Sequence, residues 1–384
     1  MSISINELLQ LETFKNFKLI SGTKGLNNTV NHVGILDHET IEMIEKSFAE
    51  GEFIISTLLL IKDEIEKLYE YVEKLIEVNA SGLAIKNIYF HDLPKEVIAL
   101  ANSKSFPIFI FGNIYFEDLI TCVTNAIEDK NDIQSLALKV DNILYKNLNN
   151  VIIKKIAYEI NRNFSEKNIV IFCERKNKKI SFEEKYASIE KQKSLSQLDK
   201  IIPYNDGYLI ITTYDNINNT EVEKIILNIL EILGFNSLEY IIGVSSLYEN
   251  LDHLNFSINE SLHAYKHSLA YKKNISFFNK IGTNKILIPL IDNIWVKKYH
   301  DEMILPLLIY DKKNDTQLLK TAIKYIENKG DIKATSIDLF QHNNTIRYRI
   351  DKIHKILNKN TNINDFYEEL SIAIKIYNLI SISL

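Results

Sequence analysis

Glycine, proline and cysteine are scarce in this chain of 384 residues. With 11 glycines and 5 prolines it has little material for long flexible linkers, so compact domains with short connections are expected. The two cysteines, Cys122 and Cys173, are far apart in sequence and lie in apolar surroundings, which predicts buried free thiols. A disulfide framework or a cysteine-based metal site is therefore not expected.

Segments that would direct the chain into a membrane are also lacking. The start, MSISINELLQLETF, has no basic stretch followed by an apolar core, so no signal peptide is expected. The longest strongly apolar run, residues 53–61, is too short to span a bilayer and contains Ser56 and Thr57. The sequence predicts a cytoplasmic protein without a membrane partner.

Motifs for catalysis, cofactors and metals are missing as well. There is neither a glycine-rich P-loop nor a dinucleotide fingerprint. His263 and His267 are four residues apart on a predicted helix, but no third ligand lies near them in sequence, so ordinary helix-face histidines are expected. The pair Asp37 and His38 has no accompanying nucleophile. We expect no catalytic residue, no cofactor and no metal, and hence no enzyme.

Arginine is rare too, and its distribution is uneven. The chain has four arginines, and two of them, Arg347 and Arg349, lie on one predicted helix near the C-terminus. A guanidinium suits bidentate contact with phosphate or guanine. Between residues 341 and 360 five basic residues oppose one aspartate, a local net charge of +4 in a chain of net charge −5. This reversal of sign indicates a polyanionic partner, although a solvated basic helix of no special purpose is the alternative.

The residues around these arginines have the periodicity of an α-helix. Four apolar residues recur at the spacing of one helical face, which must be buried. They are Ile346, Ile350, Ile353 and Leu357. Asn343 or Asn344 is expected to cap the start of this helix, because an asparagine side-chain oxygen can accept a free backbone N–H.

A second predicted helix precedes it, over residues 332–340. Its expected apolar face consists of Ile332, Ser336, Leu339 and Phe340. Only two residues, 341 and 342, would separate the two helices, so they must meet at an angle. The pattern predicts a helix-turn-helix over about residues 331–358, whose second helix can enter the major groove of DNA.

The segment HNNTIRYRIDKIHKIL resembles the C-terminal helix-turn-helix of the PucR family of bacterial transcriptional regulators. That family's pattern runs approximately His-Arg-Asn-Thr-Val/Ile-Arg-Tyr-Arg-Leu, and Asn343 stands where the family usually has arginine. The resemblance implies double-stranded DNA as a partner. Base contacts are expected from Asn344, Thr345 and Tyr348, contacts with phosphate or guanine from Arg347, Arg349, Lys352 and Lys355, and further DNA contacts from His342 and Asn343 in the turn.

The first 130 residues alternate strand and helix, as in an α/β sheet. The expected strands are 53–61, 82–86 and 107–111, and the expected helices are 63–78, 94–103 and 116–128. This part resembles the purine-catabolism-regulator N-terminal domain of the same family, through Gly51-Glu52-Phe53 and the later GLAIK segment at 82–86. Leu58 stands where the family usually has glycine. The resemblance implies that this domain senses a small molecule.

The middle of the chain has the pattern of a connector followed by an α+β domain. Leu136, Val140, Ile143 and Leu144 could form a seam with a partner helix, or the connector could pack on its own chain. Strands are expected at 169–173, 208–213 and 240–244, and helices at 221–233 and 255–269. This order resembles the degenerate GGDEF-like, or cyclase-like, domain of the family. The signature hairpin and its acidic metal ligands are missing, so no cyclase activity is expected.

Together these patterns predict an α+β multidomain regulator. An α/β sensory domain (1–130) is followed by a connector helix (131–165), an α+β cyclase-like domain (166–285) and an all-α helix-turn-helix domain (286–384). A single helix-turn-helix buries little surface, so a homodimer on paired DNA half-sites is expected. The family resemblance suggests control of purine or other catabolic genes, an effector that the sequence does not identify, and RNA polymerase as a further partner. The alternatives are a nucleotide-processing enzyme and a protein-binding signalling module.

Overall fold

A computed structural model describes residues 2–176, 184, 191–217, 221–357 and 363–380 of the chain. These residues divide into two compact units. Most of the first unit is Met1–Asn142, and most of the second is Asn205–Leu384 together with Ile143–Lys178. The architecture is mixed α/β with a helical C-terminal region.

The first unit is built on a five-stranded sheet in the order β2–β7–β6–β5–β4. Strands β4 to β7 run parallel to their neighbours, and β2 is antiparallel to β7. The central strands are nearly continuous apolar runs, because parallel strands are buried on both faces. The strands described within residues 2–142 are β1 Ile3–Ser4, β2 Lys18–Ser21, β3 Thr29–Val30, β4 His32–Ile35, β5 Glu52–Ser56, β6 Gly82–Lys86 and β7 Ile108–Phe111.

Helices cover both faces of this sheet and complete two apolar cores. Leu68, Val72 and Leu75 recur at helical spacing on α3 and are fully buried. The helices are α1 Ile5–Leu8, α2 Ile44–Ser47, α3 Leu68–Glu77, α4 Lys95–Ser103 and α5 Phe116–Tyr145.

The sequence predictions for this unit are confirmed in type, and some of their bounds are wrong. The strand expected over 53–61 ends at Ser56, since Leu58 has a φ of 59° and a 3₁₀ turn follows it. The helix expected over 63–78 begins at Leu68, after another 3₁₀ turn. The helix expected over 116–128 continues to Tyr145.

The connector is two helices rather than one. Helix α5 ends at Tyr145, and a second helix, α6 Asn150–Ile160, follows after a short loop. Asn149 is the cap of α6, and its side chain accepts the Ile152 N–H at 3.0 Å. Val140 and Ile143 are fully buried within this chain. They are therefore not available for a seam with a partner helix, and the alternative of packing on the same chain is favoured.

A further five-stranded sheet has the order β12–β11–β8–β10–β9. Strand β8 is antiparallel to both β10 and β11, and β11 is parallel to β12. Gly243 in β11 lets a helix approach closely, because a Cβ there would lie 2.1 Å from the Ser261 carbonyl oxygen. The elements are β8 Lys167–Arg175, β9 Asp199–Tyr204, β10 Gly207–Tyr214, α7 Val222–Ile232, β11 Tyr240–Val244, α8 Leu254–Ala270 and β12 Ile275–Phe277.

All three strands and both helices predicted for this region are confirmed, and two strands were missed. β9 is the edge strand of the sheet and contains Pro203, a residue that weakens a strand pattern because it cannot donate to a ladder. β12 has only three residues, too few to show an alternation.

The described residues after β12 form six helices, and most of these helices share one apolar core. Aspartates cap the starts of two of these helices: Asp311 accepts the Leu318 and Leu319 N–H groups at 2.7 and 2.9 Å, and Asp331 accepts the Lys333 N–H at 2.7 Å. The helices are α9 Asn284–Leu287, α10 Ile294–Asn314, α11 Leu318–Glu327, α12 Ile332–Asp338, α13 Asn343–Ile356 and α14 Ile363–Ile380. The core is drawn from α10, α11, α13 and α14 and includes Met303, Leu307, Leu319, Ala322, Ile353, Phe366 and Leu370.

Candidate nucleic-acid interface

Helices α12 and α13 form a helix-turn-helix with a turn of four residues, 339–342. The turn closes with two backbone hydrogen bonds, from Gln341 N–H to the Ser336 carbonyl (2.9 Å) and from Phe340 N–H to the Ile337 carbonyl (3.1 Å). The expected two-residue turn is thus wrong. Phe340 was expected on the buried face of the first helix, but that helix ends at Asp338, and Phe340 is 93% exposed with a φ of 52°.

The cap of α13 is His342, and the prediction of an asparagine cap is wrong. His342 Nδ1 accepts the Asn344 N–H at 3.2 Å, so the ring carries its proton on Nε2, where it can donate outward. Asn343 instead joins the two helices, because its Oδ1 accepts a 2.6 Å hydrogen bond from Ser336 Oγ. The side chain at 343 therefore has a structural partner inside the motif.

The inner face of α13 is the one that the periodicity predicts. Ile346 and Ile353 are fully buried. Ile350 and Leu357 are half-buried against the same core. This packing holds the opposite face of the helix towards solvent.

Five exposed side chains make up that outer face. In the part of the chain that the structure describes, none of them has a side-chain hydrogen bond or an ion pair, and the ring of Tyr348 is 66% exposed. The outer face consists of Asn344, Arg347, Tyr348, Asp351 and Lys355.

Two predicted DNA contacts have partners within the domain instead. Arg349 Nη1 donates to Thr321 Oγ1 on α11 at 3.1 Å, and Thr321 is fully buried. The Lys352 ammonium lies 5.2 Å from the ring centroid of Tyr310 on α10. Thr345 is half-buried. All three border the outer face, and Arg349 and Lys352 fix α13 to its neighbours.

The positive charge of the motif is concentrated on α13. Four of the five basic residues counted from the sequence, Arg347, Arg349, Lys352 and Lys355, lie on this helix. The fifth, Lys359, and the last residue of the predicted motif, Asn358, lie outside the described residues. Asp351 is the one acidic residue between 341 and 357.

The two histidines with metal-ligand spacing lie on α8. Burial lowers the pKa of both His263 and His267 to about 4, which favours their neutral forms. His267 Nδ1 is 2.9 Å from Ser276 Oγ, and its ring stacks on Tyr271. No cluster of three or more potential metal ligands occurs in the ranges that the structure covers.

Asp37, the other residue weighed for chemistry, is tied into a loop at the end of the first sheet. Its Oδ1 accepts hydrogen bonds from Thr57 N–H (2.7 Å) and Thr57 Oγ1 (2.8 Å). Cys173 is a buried free thiol as predicted, whereas the free thiol of Cys122 is only half-buried. None of the described helices is long and apolar enough to cross a membrane.

Comparison with known proteins gives two family matches. Residues 7–127 match the Purine catabolism regulatory protein-like family, and residues 318–376 match the PucR C-terminal helix-turn-helix domain. The second range contains α11, α12, α13 and most of α14.

Two curated relatives come from Bacillus subtilis (strain 168). One is the Purine catabolism regulatory protein, with 29% identity over 130 residues. The match covers 33% of this chain and 24% of the relative. The other is the Proline-responsive transcriptional activator PutR, with 30% identity over 115 residues. The match covers 29% of this chain and 28% of the relative. The matched stretches thus span about a quarter of each relative.

Among solved structures, the Regulator of Polyketide Synthase Expression from Bifidobacterium adolescentis matches 63% of this chain and 96% of its own, at 13% identity and a TM-score of 0.31. The two family matches identify a PucR-type region in residues 7–127 and a PucR-type helix-turn-helix region in residues 318–376.

Proposed function

We propose that this protein is a transcriptional regulator that binds double-stranded DNA through α13. The observation that carries the proposal is the outer face of that helix. Its basic and amide side chains are exposed and without partners among the described residues, while the inner face is held by the core. A surface of this kind at the second helix of a helix-turn-helix suits the major groove.

The side chains of this face suit different parts of the DNA. The amide of Asn344 can contact adenine, and the guanidinium of Arg347 can contact guanine or phosphate. Tyr348 is a further candidate for a base contact, and Lys355 for phosphate. Asp351 can accept from the cytosine amino group. His342 Nε2–H, beside the helix N-terminus, suits a phosphate oxygen.

Three of the predicted contacts would act mainly by positioning the reading helix. Asn343, Arg349 and Lys352 each contact a neighbouring helix. Arg349 has further N–H donors beyond the one bonded to Thr321, so it can still reach a phosphate at the border of the outer face. Thr345 lies at the same border.

The rest of the chain would connect a signal to DNA binding. The names of the relatives, one for purine catabolism and one proline-responsive, support a small nitrogen-containing effector for the N-terminal region. The middle sheet would be the degenerate GGDEF-like domain and would transmit that signal. We further propose a cytoplasmic homodimer that acts on promoters together with RNA polymerase and has no enzymatic activity.

The test is binding of the full-length protein to its own upstream DNA, measured by fluorescence anisotropy over a range of salt concentrations. Arg347→Ala and Lys355→Ala should each weaken binding and reduce the salt slope by about one counterion. Lys155→Ala, at an exposed lysine of α6, is the matched control and should change neither. Wild-type protein that binds specific and scrambled DNA equally weakly would contradict the proposal and direct attention to nucleotide turnover or protein partners.

A further inference from the structure

Phe340 combines a strained backbone with an exposed aromatic ring. Eight non-glycine residues among those described have a positive φ, and two of them are apolar, Leu58 and Phe340. A bulky side chain is disfavoured in this left-handed region. Leu58 is 3% exposed, so burial of its side chain offsets the strain. Phe340 is 93% exposed, and its ring has no aromatic contact within the described chain.

The backbone of the turn does not require phenylalanine. Five other helices, α3, α4, α7, α8 and α11, end in the same pair of hydrogen bonds with the same left-handed residue. Those five positions are occupied by polar residues or glycine, namely Asn79, Ser105, Gly234, Lys272 and Lys329. A polar residue or glycine is thus sufficient at this position of the turn. The exposed ring of Phe340 has no packing role among the described residues of the domain.

The position of the Phe340 ring in the motif indicates which partner would bury it. Phe340 is two residues before His342, the cap of α13, and so lies at the end of the helix that would enter the major groove. Ile337, one turn earlier, is 64% exposed and extends the apolar surface. The outer face of the adjoining α13 bears Arg347 and Lys355 against one carboxylate, Asp351, and this excess of positive charge favours an anionic partner with a local apolar feature. In the major groove that feature is the C5-methyl group of thymine.

We propose that Phe340, extended by Ile337, packs against thymine methyl groups beside the site read by α13 and thereby selects for A·T pairs at those positions. This inference rests on the proposed DNA-binding function. It adds an apolar, sequence-selective contact to a surface that otherwise offers only charged and polar groups.

The test compares two proteins on two DNAs. Phe340→Asn removes the ring, and asparagine tolerates the left-handed conformation, as Asn79 and Asn205 do in this chain. Tyr145→Asn, at a tyrosine 76% exposed in α5, is the control for loss of an exposed ring. The DNAs are the bound upstream fragment with thymine and the same fragment with deoxyuridine, which lacks only the methyl group.

Wild-type protein and Tyr145→Asn should lose about fourfold in affinity for each contacted thymine that is replaced, the effect of exposing one methyl group. Phe340→Asn should bind the thymine fragment about as weakly as wild type binds the deoxyuridine fragment and should be indifferent to the replacement. Its melting temperature should be unchanged or higher.

Each of the remaining outcomes would contradict the proposed contact between Phe340 and thymine. If wild type binds the fragment but does not distinguish thymine from deoxyuridine, the inference is wrong and the proposed function stands. Equal discrimination by Phe340→Asn assigns the methyl contact to another residue. Loss of self-association rather than DNA affinity in Phe340→Asn makes the patch a contact between copies of the chain. If wild type binds no specific DNA, the inference falls with the proposed function.

Discussion

The strand ends of the first sheet and the outer face of α13 use polar side chains in opposite ways. In the sheet region, Asp37 accepts two hydrogen bonds from Thr57, and the Asn28 amide donates to the carbonyls of Ser81 (3.1 Å) and Ser105 (3.3 Å). On α13, Arg347 and its neighbours on the outer face have no such partners among the described residues. Polar groups of the first kind fix loops, and those of the second kind are available to a partner. Substitutions should therefore affect stability in one region and binding in the other.

The largest effect on stability is expected from Gly22→Ala in the first region. Gly22 has a φ of 75°, and a Cβ there would lie 2.0 Å from the Phe106 carbonyl oxygen. Strain and displacement of backbone together should lower the free energy of unfolding by about 3 kcal/mol or more. Gly112→Ala is the control, since its nearest neighbour would be a side-chain atom of Asn87 at 3.6 Å. Denaturant titration of both variants checks this, and equal midpoints would contradict it.

Asp37→Ala should have the next largest effect. Removing the carboxylate leaves the Thr57 N–H and hydroxyl without their acceptor, which should lower the stability of the first unit by about 2 kcal/mol. DNA affinity measured well below the unfolding midpoint should not change. Asp37→Asn keeps an acceptor oxygen and should recover part of the loss. A DNA-binding defect in folded Asp37→Ala would break the division between the two regions.

Sequence periodicity was enough to predict the elements that are long or buried on a regular face. Strands Gly82–Lys86 and Tyr240–Val244 have the predicted bounds, and the inner face of α13 is the predicted one. These predictions succeed because burial imposes a fixed spacing on apolar residues.

The failures depend on backbone conformation and on distant contacts. Leu58 and Phe340 continue an apolar pattern in sequence, but each adopts a left-handed conformation that ends its element. The partner of Arg349 is Thr321, 28 residues earlier in the chain, and only the packing of α13 on α11 brings them together. The arginine pair could be placed on the right helix from sequence, but the two different roles could not.

Those two roles predict opposite effects for the two arginines of α13. Arg347→Ala should weaken specific DNA binding about tenfold and leave the unfolding midpoint unchanged, because its side chain is exposed. Arg349→Ala removes a hydrogen bond to a buried hydroxyl and should lower stability by about 1 kcal/mol, with a smaller loss of DNA affinity. Measuring both properties for both variants is the test. If both variants lose the same DNA affinity and neither loses stability, Arg349 contacts DNA as the residues of the outer face do.

His342 belongs to both categories, because one of its ring nitrogens has a partner in the fold and the other does not. Its Nδ1 caps α13 through the Asn344 N–H, while Nε2–H is directed away from that bond. Loss of an N-cap in His342→Ala should lower the free energy of unfolding by about 1 kcal/mol. Serine is a good cap without an imidazole N–H, so His342→Ser should restore the stability. If it also restores DNA affinity, the residue acts only by starting the helix. Restored stability with weakened DNA binding would instead show that the outward N–H contacts the DNA, so that one nitrogen of the ring stabilises the fold and the other binds the partner.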